Sequence, residues 1–203
     1  MVFKKIFVVF IFACMASSLF AQDKLFTVSN KLSKEEQEKL ALQLYKDMVA
    51  LDNNAIVEIE KLHTEVIEKC SKTQRAEESL WKLSPLYIVG PYPPNFYSAI
   101  GVLEYLVDTY PESGFMDMAK SRLLTCYEET GQYDKVCNLY ADLFEADPNP
   151  PLKTYIARAL SYARALDKVG NTENAEEWYK LIIEKDNGQN SIEARAAKRR
   201  LGL

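Results

Sequence analysis

Few side chains in this chain have the types and spacing that chemistry needs. There is one histidine, His63, among 203 residues. It stands on a stripe with Ile56, Ile59, Val66 and Cys70 that steps by three and four. A histidine in that setting packs at a core edge more often than it serves as a base. No HExxH, GxSxG, phosphate loop or dinucleotide fingerprint occurs. Glu128 and Glu129 form an acidic pair of the kind common on helix surfaces. The four cysteines are Cys14, Cys70, Cys126 and Cys137, and no two have CxxC spacing. That spacing is what a dithiol redox site or a zinc knuckle requires. Cys126 and Cys137 fall on the two helices of one hairpin, within reach of a disulfide. Both lie on apolar-rich faces, where cysteine serves as a small buried hydrophobe. The sequence therefore predicts no catalytic residue, no cofactor and no metal, and it favours free thiols over a disulfide.

The charge pattern narrows the partners. Residues 1–21 have Lys4 and Lys5, then the apolar run 6–13, then the small residues Ser17, Ser18 and Ala21 before Gln22. This is the three-part layout of a secretory signal peptide, with cleavage expected after Ala21. Leu19 is larger than the usual residue at its place. Alternatively, Ile11-Phe12-Ala13-Cys14 loosely resembles a lipobox in which Cys14 is lipidated, although Phe12 stands where a small residue is usual. Export is the expectation, to a bacterial periplasm, an outer-membrane lipoprotein position or the medium. A membrane is a partner only if Cys14 is lipidated. Removing residues 1–21 lowers the basic count from 25 to 23 against 29 acids, a net charge of −6. An acidic chain without a basic stripe lacks the footprint of a nucleic-acid binder. Arg195, Lys198, Arg199 and Arg200 cluster in a final helical turn, where cations suit the negative helix end.

The elements that must position these residues are all helical. Ser33 and Glu36 have capping-box spacing, and Leu40, Leu44, Met48 and Leu51 extend one face, so the pattern predicts a helix over 34–51. A second helix follows over 55–70, with Glu65 and Lys69 paired on its polar side. A third begins near Thr73. Pro85 lies within it and predicts a kink, or a restart capped by Ser84. Residues 90–95 read as a loop. Further helices are expected over 96–110, 115–130 (with Ser113 as a cap), 133–146, 152–169, 172–185 and 192–201, the last opened by a capping box at Asn190 and Glu193. Residues 22–32 read as a short polar lead-in.

The hairpins repeat. Ala99 to Pro111, Val136 to Pro148 and Ala175 to Asn187 each span the same interval from a small residue to a closing residue. Lys120, Leu123, Leu124 and Tyr127, then Gly131, Val136 and Tyr140, recur as Ala159, Tyr162, Ala163 and Leu166, then Gly170, Ala175 and Tyr179. This pattern resembles the tetratricopeptide repeat, with Lys120 and Leu124 standing for its usual Trp and Gly and Val136 for its Ala. The resemblance covers residues 73–201 and, by periodicity alone, 33–72. The units are longer than the usual ~34 residues, with the extra length in proline-rich turns. The resemblance implies an all-α, right-handed superhelical array of antiparallel hairpins, an α-solenoid. Its expected parts are a degenerate hairpin over 33–72, repeats over 73–111, 112–148 and 149–187, and a capping helix within 188–203. Leu123, Leu124, Tyr127, Val136, Tyr140, Tyr162, Ala163, Ala175 and Tyr179 would form the repeat core.

The stretch 109–113 (TYPES) and the closing SIEARAAKRRL are similar to envelope repeat proteins, such as the lipoprotein of outer-membrane β-barrel assembly and the periplasmic partner of the Tol–Pal system. In this family the first helix of each hairpin lines a concave groove for a peptide or partner helix. By that resemblance the groove would present Trp81 and Ile88, then Met118, Ser121, Thr125, Glu128 and Glu129, then Leu160, Arg164 and Lys168. The Lys and Asn clamp of chaperone-binding relatives has no match, since Ser121, Thr125 and Leu160 hold the corresponding places. The function implied is a non-enzymatic scaffold for a protein or peptide partner. A lipid-anchored subunit of an envelope assembly is the alternative.

Overall fold

The structure is a computed structural model that describes residues 25–29, 31–90 and 93–203. The expected leader 1–21 and the Cys14 position lie outside these. The described residues form nine α-helices and no strand: α1 Lys34–Val49, α2 Ile56–Lys69, α3 Gln74–Val89, α4 Phe96–Thr109, α5 Met116–Glu129, α6 Tyr133–Ala146, α7 Leu152–Lys168, α8 Thr172–Asp186 and α9 Ile192–Leu201. They make four hairpins and a closing helix. Successive helices pack against each other along the whole chain, and α9 also returns to α7.

The repeat register is visible in the packing. Ala99, Val136 and Ala175 are each the fourth residue of α4, α6 and α8, and all three are fully buried. Four residues on, Leu103, Tyr140 and Tyr179 are buried as well. Small residues let the facing helix approach, and the larger ones fill the space beside it. Leu123, Tyr127 and Ala163 are also buried, whereas Leu124 and Tyr162 are half-buried. Gly131 and Gly170 have φ of 69° and 79° and turn the chain in the same way. In both turns the next amide bonds back to the helix, Gln132 to the Tyr127 carbonyl and Asn171 to that of Leu166. A left-handed residue there favours glycine.

The core falls into three clusters. Ala41, Leu44, Val66 and Cys70 hold the first hairpin, the largest cluster runs from Phe26 and Ile67 through α3 to α6 and on to Ala165, and α7 to α9 share the third. Tyr162 and Cys137 touch both of the last two. An aromatic group of Phe144, Tyr155, Tyr162 and Trp178 joins α6, α7 and α8, with Phe144 and Trp178 centroids 4.7 Å apart. Tyrosine hydroxyls add ties to the preceding element: Tyr87 to Glu60, Tyr110 to the Ser71 carbonyl and Tyr127 to Glu104. Cys70, Cys126 and Cys137 are free thiols.

Four local expectations are corrected. The lead-in is not merely polar: Phe26 is buried and stands edge-on to Tyr105, while the Thr27 and Ser29 amides bond Glu68. Leu25 lies over Gly101, where an added Cβ would meet it at 3.3 Å. The capping serine of α9 is Ser191, not Asn190. The buried Asp186 carboxylate takes the Asn190 and Ser191 amides, and Ser191 Oγ accepts the Ala194 amide. Ser113 serves the turn before α5, accepting the Phe115 amide, while Phe115 is the cap position.

The fourth correction concerns Pro85. α3 continues through it without a restart. Proline has no amide to bond the Trp81 carbonyl four residues back. Ser84 Oγ donates to that carbonyl at 2.9 Å instead of capping a new helix. Arg122 of α5 donates to Ser84 Oγ at 2.6 Å and reaches the same carbonyl at 3.4 Å. Its guanidinium lies 3.6 Å from the Trp81 ring centroid, and Phe115 stacks with the same indole. The backbone gap left by Pro85 is thus filled from the neighbouring hairpin.

His63 is buried at the joint of the first two hairpins. The Tyr45 hydroxyl donates to the Arg75 carbonyl and lies 3.1 Å from Ser79 Oγ. Ser79 Oγ also lies 3.1 Å from His63 Nδ1, so the three side chains share one hydrogen-bonded group. Burial first, then Lys82, pushes the histidine down to about 4, against an opposing pull from Glu78.

Two predictions follow from these contacts. Unfolded His63 takes a proton near pH 6.5, but the folded chain takes it only near 4. Between these values the unfolded state holds more protons, so stability is intact above 6.5 and falls as pH drops toward 4. Linkage sets the histidine share of that fall at about 3 kcal/mol. Urea unfolding of His63→Gln beside the parent is expected to lack this share, and parallel pH profiles would contradict it. Arg122→Ala is expected to cost about 2 kcal/mol in the same assay, with Arg122→Lys recovering less than half because an ammonium cannot stack flat. A cost under about 0.5 kcal/mol, the range of ordinary surface changes, would show that the Trp81 carbonyl does not need Arg122.

Candidate partner-binding site

Helix α5 buries Ala119, Leu123, Cys126 and Tyr127. The spacing leaves Met118, Ser121, Thr125, Glu128 and Glu129 exposed on its other face. Helix α7 buries Ile156, Ala159, Leu160, Ala163 and Leu166 and leaves Arg164 and Lys168 exposed. Trp81 and Ile88 of α3 are half-buried against the central core. Trp81 is occupied by Phe115 and Arg122, so it joins hairpins and presents little free surface.

Two cavities adjoin along α7. One, of about 260 Å³, lies between α5, α6 and α7, where Glu128, Tyr133, Ser161, Arg164 and Lys168 face it. Lys168 Nζ sits 5.9 Å from the Tyr133 ring centroid. Partial burial, then Glu129, raises the Glu128 carboxyl above its ordinary range, while Arg164 opposes the shift. The second cavity, of about 410 Å³, is an open depression bordered by α7, α8 and α9. Leu160 and Ala196 supply apolar wall, Arg164 and Lys168 are shared with the first cavity, and Arg199 and Arg200 come from α9.

Asp167 organises the second cavity. Its carboxylate takes Arg200 Nε and Nη2 in a two-pronged pair, each bond 2.8 Å, and accepts the Tyr179 hydroxyl at 2.9 Å. Burial, and then this carboxylate, push Tyr179 up to about 12, so it remains a donor. A planar guanidinium matches a carboxylate in this fork, which fixes α9 against α7.

A third cavity, of about 330 Å³, opens between α4, α5 and α6. There Glu104 accepts both Lys135 at 2.6 Å and Tyr127 at 2.7 Å, and Asp108, Lys120 and Asp142 also line the wall.

The structure thus brings Glu128, Leu160, Arg164 and Lys168 of the expected groove together. Met118, Ser121, Thr125 and Glu129 extend the same side of α5, whereas Trp81 and Ile88 belong to packing. Arg199, Arg200, Asp167, Tyr133 and Ser161 were missed. The arginine cluster was legible, but its helix-end position explained it without revealing that α9 folds back on α7.

Among the described residues no three His, Cys, Asp or Glu side chains are placed to hold a metal ion. Burial pushes all three thiols up, Cys137 to about 11, which disfavours the nucleophilic thiolate. No described helix is long and apolar enough to cross a membrane.

No family model and no curated protein matches the chain. Among solved structures it is similar to a Podosopora anserina kinesin light chain described as having nearly identical TPR-like repeats. The TM-score is 0.51 at 16% identity, over 83% of this chain and 88% of that one. At that identity the likeness speaks to architecture alone: the chain has the fold of a TPR-like α-solenoid, with four hairpins and a C-terminal helix.

Proposed function

We propose that this chain is an exported, non-enzymatic scaffold that binds a protein partner along the side formed by α5, α7 and α9. The observation that carries the reading is the pair of adjoining cavities over Arg164 and Lys168. They lie on the first helices of successive hairpins and on the closing helix, where side chains from three separate elements converge on open space. An apolar wall beside charged groups suits recognition of a protein chain. TPR-like folds are interaction scaffolds by type, which supports the reading by analogy of fold. Export rests on the layout of residues 1–21, and the anchored form rests on Cys14.

Site-specific photocrosslinking in cells tests the binding face. Probes at Met118 and Arg164 are expected to capture the same protein, and a probe at the exposed Lys180 of α8 is expected not to. Equal capture from Lys180, or none above background at the two test sites, would contradict it. Mass spectrometry of the mature N-terminus tests export. Gln22 at the terminus supports a free form, lipidated Cys14 a tethered one, and an intact Met1 contradicts both.

A further inference from the structure

An extended segment already lies in one groove of this array. Residues 25–29 cross the space between α2 and α4, the second helices of the first two hairpins. Leu25 lies over Gly101, Phe26 stands edge-on to Tyr105, and the Thr27 amide bonds the Glu68 carboxylate at 2.9 Å. Ile67 shares the buried cluster with Phe26. α2 and α4 do not pack closely on each other, so the segment fills what lies between them.

The next groove along is open. It is the cavity of about 330 Å³ between α4, α5 and α6. α2, α4 and α6 have the same length, and their buried residues keep one register: His63, Leu103 and Tyr140 are each the eighth residue. In that register Val107 takes the place of Ile67 and Asp108 that of Glu68. Asn138 takes the place of Gly101, and Asp142 that of Tyr105. All four line the cavity, so the positions that hold the segment recur one unit on as open wall. Their chemistry has changed. A carboxylate replaces the aromatic that meets Phe26, and a side chain fills the notch that admits Leu25. Glu104 is taken by Lys135 and Tyr127. That leaves Asp108 and Asp142 against Lys120, and among the described residues none of these three forms an ion pair.

We propose that the groove between α4 and α6 docks an extended segment of another protein, with a small residue at Asn138, a Lys or Arg side chain at Asp142 and a backbone amide at Asp108. The site lies on second helices, so it is separate from the face formed by α5, α7 and α9 and does not depend on it. The segment in the α2–α4 groove shows that such a space takes an extended chain, whose backbone amides can reach a carboxylate near the end of the helix. Val107 and Leu139 supply apolar wall beside the acids. The excess of one carboxylate over Lys120 selects a segment with a cation. The lead-in of a second copy is the wrong occupant, because its Phe26 would stand against Asp142.

The probe is a labelled peptide of residues 22–32 carrying Leu25→Ala and Phe26→Arg, titrated against the full chain by fluorescence anisotropy. It is expected to bind about tenfold more tightly than the unaltered peptide, and less tightly as salt is added. Asp142→Arg in the chain should remove that preference. A peptide with Leu25→Ala and Phe26→Glu should then bind the Asp142→Arg variant better than it binds the parent. Glu35→Gln on α1 is the control and should leave binding unchanged. Asp142 and Glu35 are both exposed, and a circular-dichroism melt checks that the variants fold. Binding of the basic peptide that ignores Asp142→Arg, or that falls equally with Glu35→Gln, would overturn the proposal. So would no binding at about 1 mM peptide, the weak end of specific affinity. Any of these results leaves the face over α7 standing.

Discussion

No hairpin of this chain can bury its own apolar face. Two short helices cover one side of each other and leave the other side bare, and only the next hairpin can close it. Every larger feature follows from that constraint. The core is a run of three linked clusters along the chain, not one central mass. The last hairpin needs α9, which lays Ala194 and Ala197 onto α7 and α8 and turns its cations outward. The constraint also explains why the joints carry the specific contacts. Arg122 fills the Pro85 gap from the next hairpin, the Tyr140–Tyr162 pair bridges α6 to α7, and Asp167 grips Arg200 across the last joint.

Stacking places the first helices of consecutive hairpins side by side. Residues on their uncovered faces, distant in sequence, then share one surface. Arg164 and Arg199 are 35 positions apart yet line the same cavity. Each has a local reason to be basic or exposed, but the wall they make together is a property of the fold. Asp167 lines the same cavity, and its commitment to Arg200 and Tyr179 makes it part of the joint.

Much of the architecture was legible because the repeat writes the same physical demand at the same spacing. A small residue at Ala99, Val136 and Ala175 and a large one four places on marked the closely packed helix of each unit before any coordinates. Glycines at 131 and 170 marked the turns that need a positive φ. What stayed hidden depended on partners far along the chain. Pro85 predicts a kink or a restart, whereas the helix runs on and Ser84 and Arg122 take up the carbonyl it leaves unbonded. Phe26 looked like part of a polar lead-in, although Gly101, a weak helix former in mid-helix, was a sign that something lies close there. The candidate site divides the same way. Glu128, Arg164 and Lys168 followed from the hairpin pattern, while Arg199 and Arg200 required knowing that α9 returns to α7.

The claim at the centre of this account is that one side of the array, α5, α7 and α9, receives a partner. Hydrogen exchange on the full chain, alone and in complex with the protein that co-purifies with it from cells, tests this most directly. The account predicts slowed exchange in α7 and α9 and at the exposed end of α5, with α2 and α8 unchanged. Protection confined to α2, α4 or α8 would contradict it.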